Sequence, residues 1–239
     1  MRKLVIIPTY NERENITLIT EAVFSLNESF DILVVDDSSP DGTAAIVKGL
    51  QARFPERLHL VERAGKLGLG TAYIAGFRWA LERGYDYVFE MDADFSHSPQ
   101  DLVRLYQAAV EGADVVVGSR YATGVNVVNW PMARLLMSWF ASMFVRTVTR
   151  MPVRDATAGF VCWSREVLRS IDLDGVRMMG YGFQIEMKYT AWKLGFAIRE
   201  VSIIFIDRTR GESKMSTKIF GEAFWGVLGL RFRRIKPKA

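Results

Sequence analysis

Asp92-Ala93-Asp94 directly follows the apolar run Tyr-Val-Phe-Glu-Met at 87–91. Carboxylates at i and i+2 of an extended chain point to one face, and at a strand end they can share one divalent cation. A solvated turn is the bland alternative. Two more polar clusters favour the metal: Pro8-Thr9-Tyr10-Asn11-Glu12, and Asp36 through Gly42. In the latter, Asp37 suits a ribose or base N–H, whereas Asp41 and Gly42 suit a turn and helix cap. Arg208, Arg210 and Lys214, on a Gly-containing loop, suit a phosphate clamp, although an exposed charged loop has the same composition. The loop Gly65-Lys66-Leu67-Gly68-Leu69-Gly70 matches neither phosphate-loop signature, leaving close ligand approach or tight packing. One cysteine, Cys162, excludes an internal disulfide and thiolate-built zinc sites. His59 and His97 are not assigned as ligands.

These residues need a frame. Val/Ile-rich runs at 3–8, 31–36, 58–61, 87–91 and 114–118 alternate with helical patterns at 12–26, 43–54, 70–83 and 99–111. That alternation predicts a mostly parallel α/β sheet covered on both faces, with ligands at the carboxyl ends of its strands. The acidic clusters fall at those ends. Beyond Gly118 the pattern predicts helices at 130–150, 181–194 and 214–235, and strands at 158–163 and 198–206.

The chain has 239 residues and a net charge of +4, from 31 basic against 27 acidic side chains. Five basic residues and no acid lie in 231–239, so the first 230 residues carry 26 basic and 27 acidic groups. That near-neutral body offers no basic face for nucleic acid. No apolar run approaches the ~18 residues of a membrane span, and the N-terminus lacks the apolar core of a signal peptide. Composition alone therefore suggests a soluble cytoplasmic protein.

Two stretches point elsewhere. Arg134, Ser138, Ser142, Arg146 and Arg150 recur at steps of four through otherwise apolar sequence. The segment is either a core helix or an interfacial helix with its apolar face in lipid. Aromatic residues at 219–232, followed at once by the basic tail, have the composition of a membrane-surface anchor.

Together IIPTYNERENI, VVDDSSPDGT, GLGTAYIAGF, MDADFSHSP, VGSRY, NWPMARLLMSWFA, RDATAGF, GYGFQIEM and RTRGESKM closely resemble the polyprenyl-phosphate mannose synthases of glycosyltransferase family 2. The resemblance covers the chain to about Ser216. It implies a GT-A (Rossmann-like) glycosyltransferase domain at 1–216, including an interfacial helix near 131–150, and an amphipathic helix with a basic membrane-surface tail at 217–239. It implies inverting transfer of mannose from GDP-mannose to a polyprenyl (dolichyl) monophosphate, at the cytoplasmic face of a membrane. Pro8, Tyr10, Glu12 and Asp37 would hold the nucleoside. Asp92 and Asp94 would bind Mg²⁺ or Mn²⁺ on the diphosphate, with Ser96 standing where some relatives have Gln as a third ligand. Arg208 and Lys214 would close over the diphosphate. Arg120, Arg134 and Ser138 would hold the acceptor phosphate. Asp94, Arg120, Arg134 and Arg208 would be the catalytic groups. A small membrane-anchoring partner subunit is compatible with this picture.

The chemistry agrees on its own terms. A phosphate monoester has its second pKa near 6, so at pH 7 it is largely an anion that needs no general base. Relatives that glycosylate hydroxyls usually place a catalytic Asp where this chain has Phe183-Gln184. The rivals are the same fold using UDP-glucose or another sugar nucleotide, a hydroxyl-directed enzyme with Glu186 as base, and a silent nucleotide-sugar-binding subunit.

Overall fold

A computed structural model of the chain describes residues 1–207 and 217–238. The first half alternates as expected: β1 (Lys3–Thr9), α1 (Ile16–Phe24), β2 (Asp31–Asp36), α2 (Thr43–Gln51), β3 (Leu58–Glu62), α3 (Leu69–Glu82), β4 (Tyr87–Glu90), α4 (Gln100–Val110) and β5 (Val115–Ser119). There follow β6 (Val127–Val128), α5 (Met132–Thr149), β7 (Val161–Ser164), α6 (Arg165–Ser170), α7 (Tyr181–Lys193), β8 (Ile198–Ser202), β9 (Phe205–Ile206) and α8 (Thr217–Phe232). α1 begins later than the expected residue 12. Asn11 sits at φ 60°, and the Glu12 carbonyl accepts from the Asn15 and Ile16 N–H groups in a turn.

The main sheet runs β3-β2-β1-β4-β7-β5-β8. β7 is antiparallel to both neighbours, while the other pairs are parallel. Its interior strands are apolar on both sides. Leu4 and Ile6 join one core cluster, and Val5 and Ile7 the other. α3 lies so close to β1 that a Cβ on Gly76 would come within 2.6 Å of Ile6.

The strand expected at 198–206 is two strands. β8 pairs with β5, and then Phe205 N–H donates to the Asn126 carbonyl (3.0 Å), carrying β9 to β6 in a separate two-stranded sheet. β2 and β3 extend from one side of β1 while β4 lies on the other, so a crevice opens at the carboxyl ends of β1, β2 and β4.

α5 is not a core helix. Ser142, Val145 and Thr149 are buried, but Leu136, Met137, Trp139, Phe140 and Met143 are each more than two-fifths exposed. Its polar stripe divides: Arg134, Ser138 and Ser142 turn toward the protein, while drift of the four-residue step leaves Arg146 and Arg150 outside. α8 packs against α5 and α7, burying Val227 and Leu230 and stacking Phe224 on Phe144 at 4.8 Å. Trp225 and Phe232 stay exposed. Among the described residues no helix is long and apolar enough to cross a membrane.

Candidate active site

The crevice is the mouth of a cavity of about 880 Å³. It brings together Pro8, Tyr10, Glu12, Asp37, Asp92, Asp94, Ser96, Arg120, Arg134 and Ser138 on its lining. Arg208, Arg210 and Lys214 lie outside the described residues.

Backbone pairing sets the acidic end. Thr9 and Asp36 are register partners at the ends of β1 and β2. Thr9 Oγ1 and Ser39 Oγ donate to Asp36 Oδ1 (2.7 and 2.6 Å), and Asp37 N–H donates to the Thr9 carbonyl (3.0 Å). Asp36 therefore fastens the loops, leaving Asp37 facing the cavity. The Asp37 carboxylate accepts from Arg63 Nε (2.5 Å) and Leu67 N–H (3.2 Å), while Arg63 also holds Thr71 Oγ1 and the Gly68 carbonyl. Arg63 thus ties the glycine-rich loop to Asp37, a role invisible in the sequence because the two residues are 26 positions apart. Within that loop, Gly70 is a packing glycine: a Cβ there would sit 2.9 Å from the Phe183 ring. Lys66 places its ammonium 4.5 Å from the Tyr10 ring centre at the cavity edge. Asp41 accepts from Thr43 N–H (3.0 Å) and Oγ1 (2.6 Å) and from Arg13 N–H (3.0 Å), the turn-and-cap role expected of it.

Asp92 and Asp94 follow β4 on a tight turn. Phe95 takes the left-handed φ of 61°, which costs a bulky side chain free energy. Ser96 N–H donates to Asp94 Oδ1 (3.1 Å), and Asp92 N–H donates to His97 Nδ1 (3.3 Å). Burial pushes His97 down to about 4 although Asp94 opposes it, so the imidazole is neutral at pH 7. It stacks on Phe160 and props the turn. The Ser96 hydroxyl is buried with no hydrogen-bond partner among the described residues. Among those residues no three His, Cys, Asp or Glu side chains cluster as a metal cage. Two carboxylates plus a spare hydroxyl fit a hard cation that keeps waters and takes its remaining ligands from substrate phosphates.

Two arginines on the lining are each paired with a carboxylate. Arg120 donates from Nε and Nη2 to the two oxygens of Asp155 (2.7 and 2.6 Å), and from Nη2 to Thr157 Oγ1 (2.9 Å). Burial alone would raise the Asp155 carboxyl, but the Arg120 guanidinium beside it holds it below its usual range. Arg134 donates to Asp207 Oδ2 (2.8 Å), and Trp130 lies within reach of both guanidinium groups, at 5.4 Å from Arg120 and 4.1 Å from Arg134. Ser138 Oγ accepts from the Tyr121 hydroxyl (2.8 Å). Asp155 and Trp130 were legible only as parts of motifs; their partners are set by the tertiary fold.

Glu186 does not line this cavity. Its carboxylate accepts from Arg177 N–H (2.9 Å), Met178 N–H (2.7 Å) and the Arg233 guanidinium on the far side of α7. The base that a hydroxyl-directed rival would need is engaged elsewhere.

The sequence profile of glycosyl transferase family 2 matches residues 4–172. The chain belongs to that family. This glycosyltransferase is 48% identical over 233 residues to the polyprenol monophosphomannose synthase of Mycolicibacterium smegmatis, spanning 95% of this chain and 88% of that one. It is 47% identical over 242 residues to the undecaprenyl-phosphate mannosyltransferase of Micrococcus luteus, spanning 98% and 99%. Among solved structures it superimposes on glucosyl-3-phosphoglycerate synthase of Mycobacterium tuberculosis, crystallised with Mn²⁺, UDP and glucosyl-3-phosphoglycerate. The TM-score is 0.65 at 20% identity, over 96% of this chain and 78% of that one. The glycosyltransferase has the GT-A fold, the α/β class its alternating strands and helices predict.

Proposed function

We propose that this glycosyltransferase moves mannose from GDP-mannose to a polyprenyl monophosphate, with inversion at the anomeric carbon, while lying peripherally on the cytoplasmic face of a membrane. One observation carries the proposal. Arg134 and Ser138 of α5 line the same cavity as Asp92 and Asp94, the exposed Met137 and Phe140 beside them carry that lining to the surface, and Leu136, Trp139 and Met143 are exposed outside it. A lipid phosphate arriving along that apolar face would meet Arg134 first. The two curated relatives, named for polyprenol or undecaprenyl-phosphate mannosyl chemistry, support the same acceptor class.

Residue roles follow from position. Pro8, Tyr10, Glu12 and Asp37 form the nucleoside end, and Arg63 keeps Asp37 aimed. Asp92, Asp94 and the spare Ser96 hydroxyl would hold Mg²⁺ or Mn²⁺, which would stabilise negative charge on the departing diphosphate. Arg208 and Lys214 would add cations to that charge. Arg134, with Ser138, places the acceptor phosphate, and Arg120, held in place by Asp155, is the second guanidinium on the lining that would meet it. The acceptor phosphate is already an anion and attacks without a base, consistent with the remote position of Glu186. Residues 1–216 are the catalytic body in this account, and 217–239 the segment that adds aromatic and basic groups at the membrane surface, alone or with a small anchoring subunit.

Donor competition tests the finer part. With polyprenyl phosphate as acceptor, excess GDP-mannose should suppress any transfer from UDP-glucose, while excess UDP-glucose leaves mannosyl transfer nearly unchanged. The reverse order of preference would move the proposal to the glucosyl rival.

A further inference from the structure

Tyr73 on α3 and Gln184 on α7 are fully buried polar side chains that line the active-site cavity, and each carries one polar atom with no partner among the described residues. For Tyr73 that atom is the phenol oxygen, and for Gln184 the amide Oε1. A lone buried orphan is costly, and two on one cavity wall call for a ligand.

Their orientation is enforced. The Gln184 Nε2 amide donates to Glu90, whose other oxygen accepts from Trp163 Nε1 (2.6 Å). With Glu90 taken up on both oxygens, the Gln184 nitrogen faces Glu90 and its carbonyl oxygen faces away from it. Tyr73 is held by stacking on Phe183, the residue before Gln184, with ring centres 6.1 Å apart and planes 10° apart. Burial, with the Asp92, Glu90 and Asp94 carboxylates, pushes the Tyr73 phenol well above its usual value, so it remains a donor. The wall therefore offers one fixed donor and one fixed acceptor beside the Asp92–Asp94 turn. That is the complement of sugar hydroxyls, each of which both donates and accepts.

We infer that Tyr73 Oη and Gln184 Oε1 are the hydrogen-bonding floor for the transferred hexose, reading its ring hydroxyls while Asp92 and Asp94 serve the diphosphate. Glu90 and Trp163 are positioning residues that keep the Gln184 amide from flipping. The inference rests on the nucleotide-sugar reading of the cavity and names the part of the donor that these two atoms recognise.

The test uses full-length Tyr73→Phe and Gln184→Met enzymes with GDP-mannose and its monodeoxymannose analogues, binding of GDP alone, and thermal unfolding. Each variant should lose roughly tenfold in kcat/KM with GDP-mannose. Against the one analogue lacking the hydroxyl it reads, it should match the wild type. GDP affinity should stay unchanged. Tyr73→Phe should keep or raise the unfolding temperature, because it deletes an oxygen that has no partner. Gln184→Met also strips a donor from Glu90, so Tyr73→Phe carries the decisive comparison. Equal losses across every analogue, no loss at all, or a lowered Tm for Tyr73→Phe (the mark of a structural water on its hydroxyl) would overturn the inference. A wild-type enzyme that transfers sugar from no nucleotide donor would instead overturn the function on which it rests.

Discussion

Asp94, Arg134 and Asp155 separate three kinds of dependence at the level of single residues. Asp94→Ala should abolish metal-dependent transfer, since it removes one of only two carboxylates on the turn, and leave Tm nearly unchanged, as checked by turnover and thermal unfolding together. Arg134 sits on the acceptor side, so Arg134→Ala should raise the KM for polyprenyl phosphate at least tenfold while the KM for the donor moves little. Asp155 is structural in its energetics: it is wholly buried and takes both arms of Arg120. Removing one partner of such a pair strands the other charge, and Asp155→Asn should cost about 3–5 kcal/mol in denaturant unfolding. The folded carboxyl titrates below its reference value of 3.8. The native state therefore binds fewer protons than the unfolded chain, and the stabilisation is present above pH 3.8 and lost as pH falls through the lower folded value. The Asn variant should lack that part of the acid slope. The carboxylates of this site were legible because Asp at the end of an apolar run is a local pattern. Arg63, Asp155 and the Tyr73–Gln184 wall were not, because each acquires its role from a partner dozens of residues away.

At the level of elements, hydrophobic periodicity located β1 to β5 and the four helices between them within a few residues. It did not reveal that β7 inserts antiparallel between β4 and β5, or that residues 198–206 divide between two sheets. Strand direction and partner depend on contacts far along the chain, and short apolar runs look alike in either role. α5 shows the complementary case. Its composition left a core helix and an interfacial helix both open; packing excludes the core helix, since the fully buried residues are Ser142, Val145 and Thr149. Replacing Leu136 and Trp139 by Ser should weaken co-sedimentation with phosphatidylserine vesicles at least tenfold, given ~25 cal/mol per Å² of apolar area withdrawn from water. The same change should leave Tm within about a degree, because both side chains are exposed. A Tm loss of many degrees would mean that the face is covered in the free protein.

Over the whole molecule, the +4 charge is a near-neutral body with a basic terminus, but that terminus is not a detachable tail. Val227 and Leu230 of α8 belong to the core, and Arg233 reaches back to Glu186. Deleting the segment would confound folding with membrane attachment. Charge reversal at Arg231, Arg234, Lys236 and Lys238, leaving Arg233 intact, separates the two. Each basic group near an anionic surface contributes ~1 kcal/mol, so binding to anionic vesicles should fall steeply while neutral vesicles and Tm show little change. Whether the acceptor phosphate attacks without a base is read from one assay. Labelled GDP-mannose is incubated with Mg²⁺ or Mn²⁺ and either a polyprenyl phosphate or the matching polyprenol, and label extracted into organic solvent is counted. Metal-dependent, Asp94-dependent product should form with the phosphate and none with the alcohol. Product from the alcohol alone would contradict attack by the phosphate.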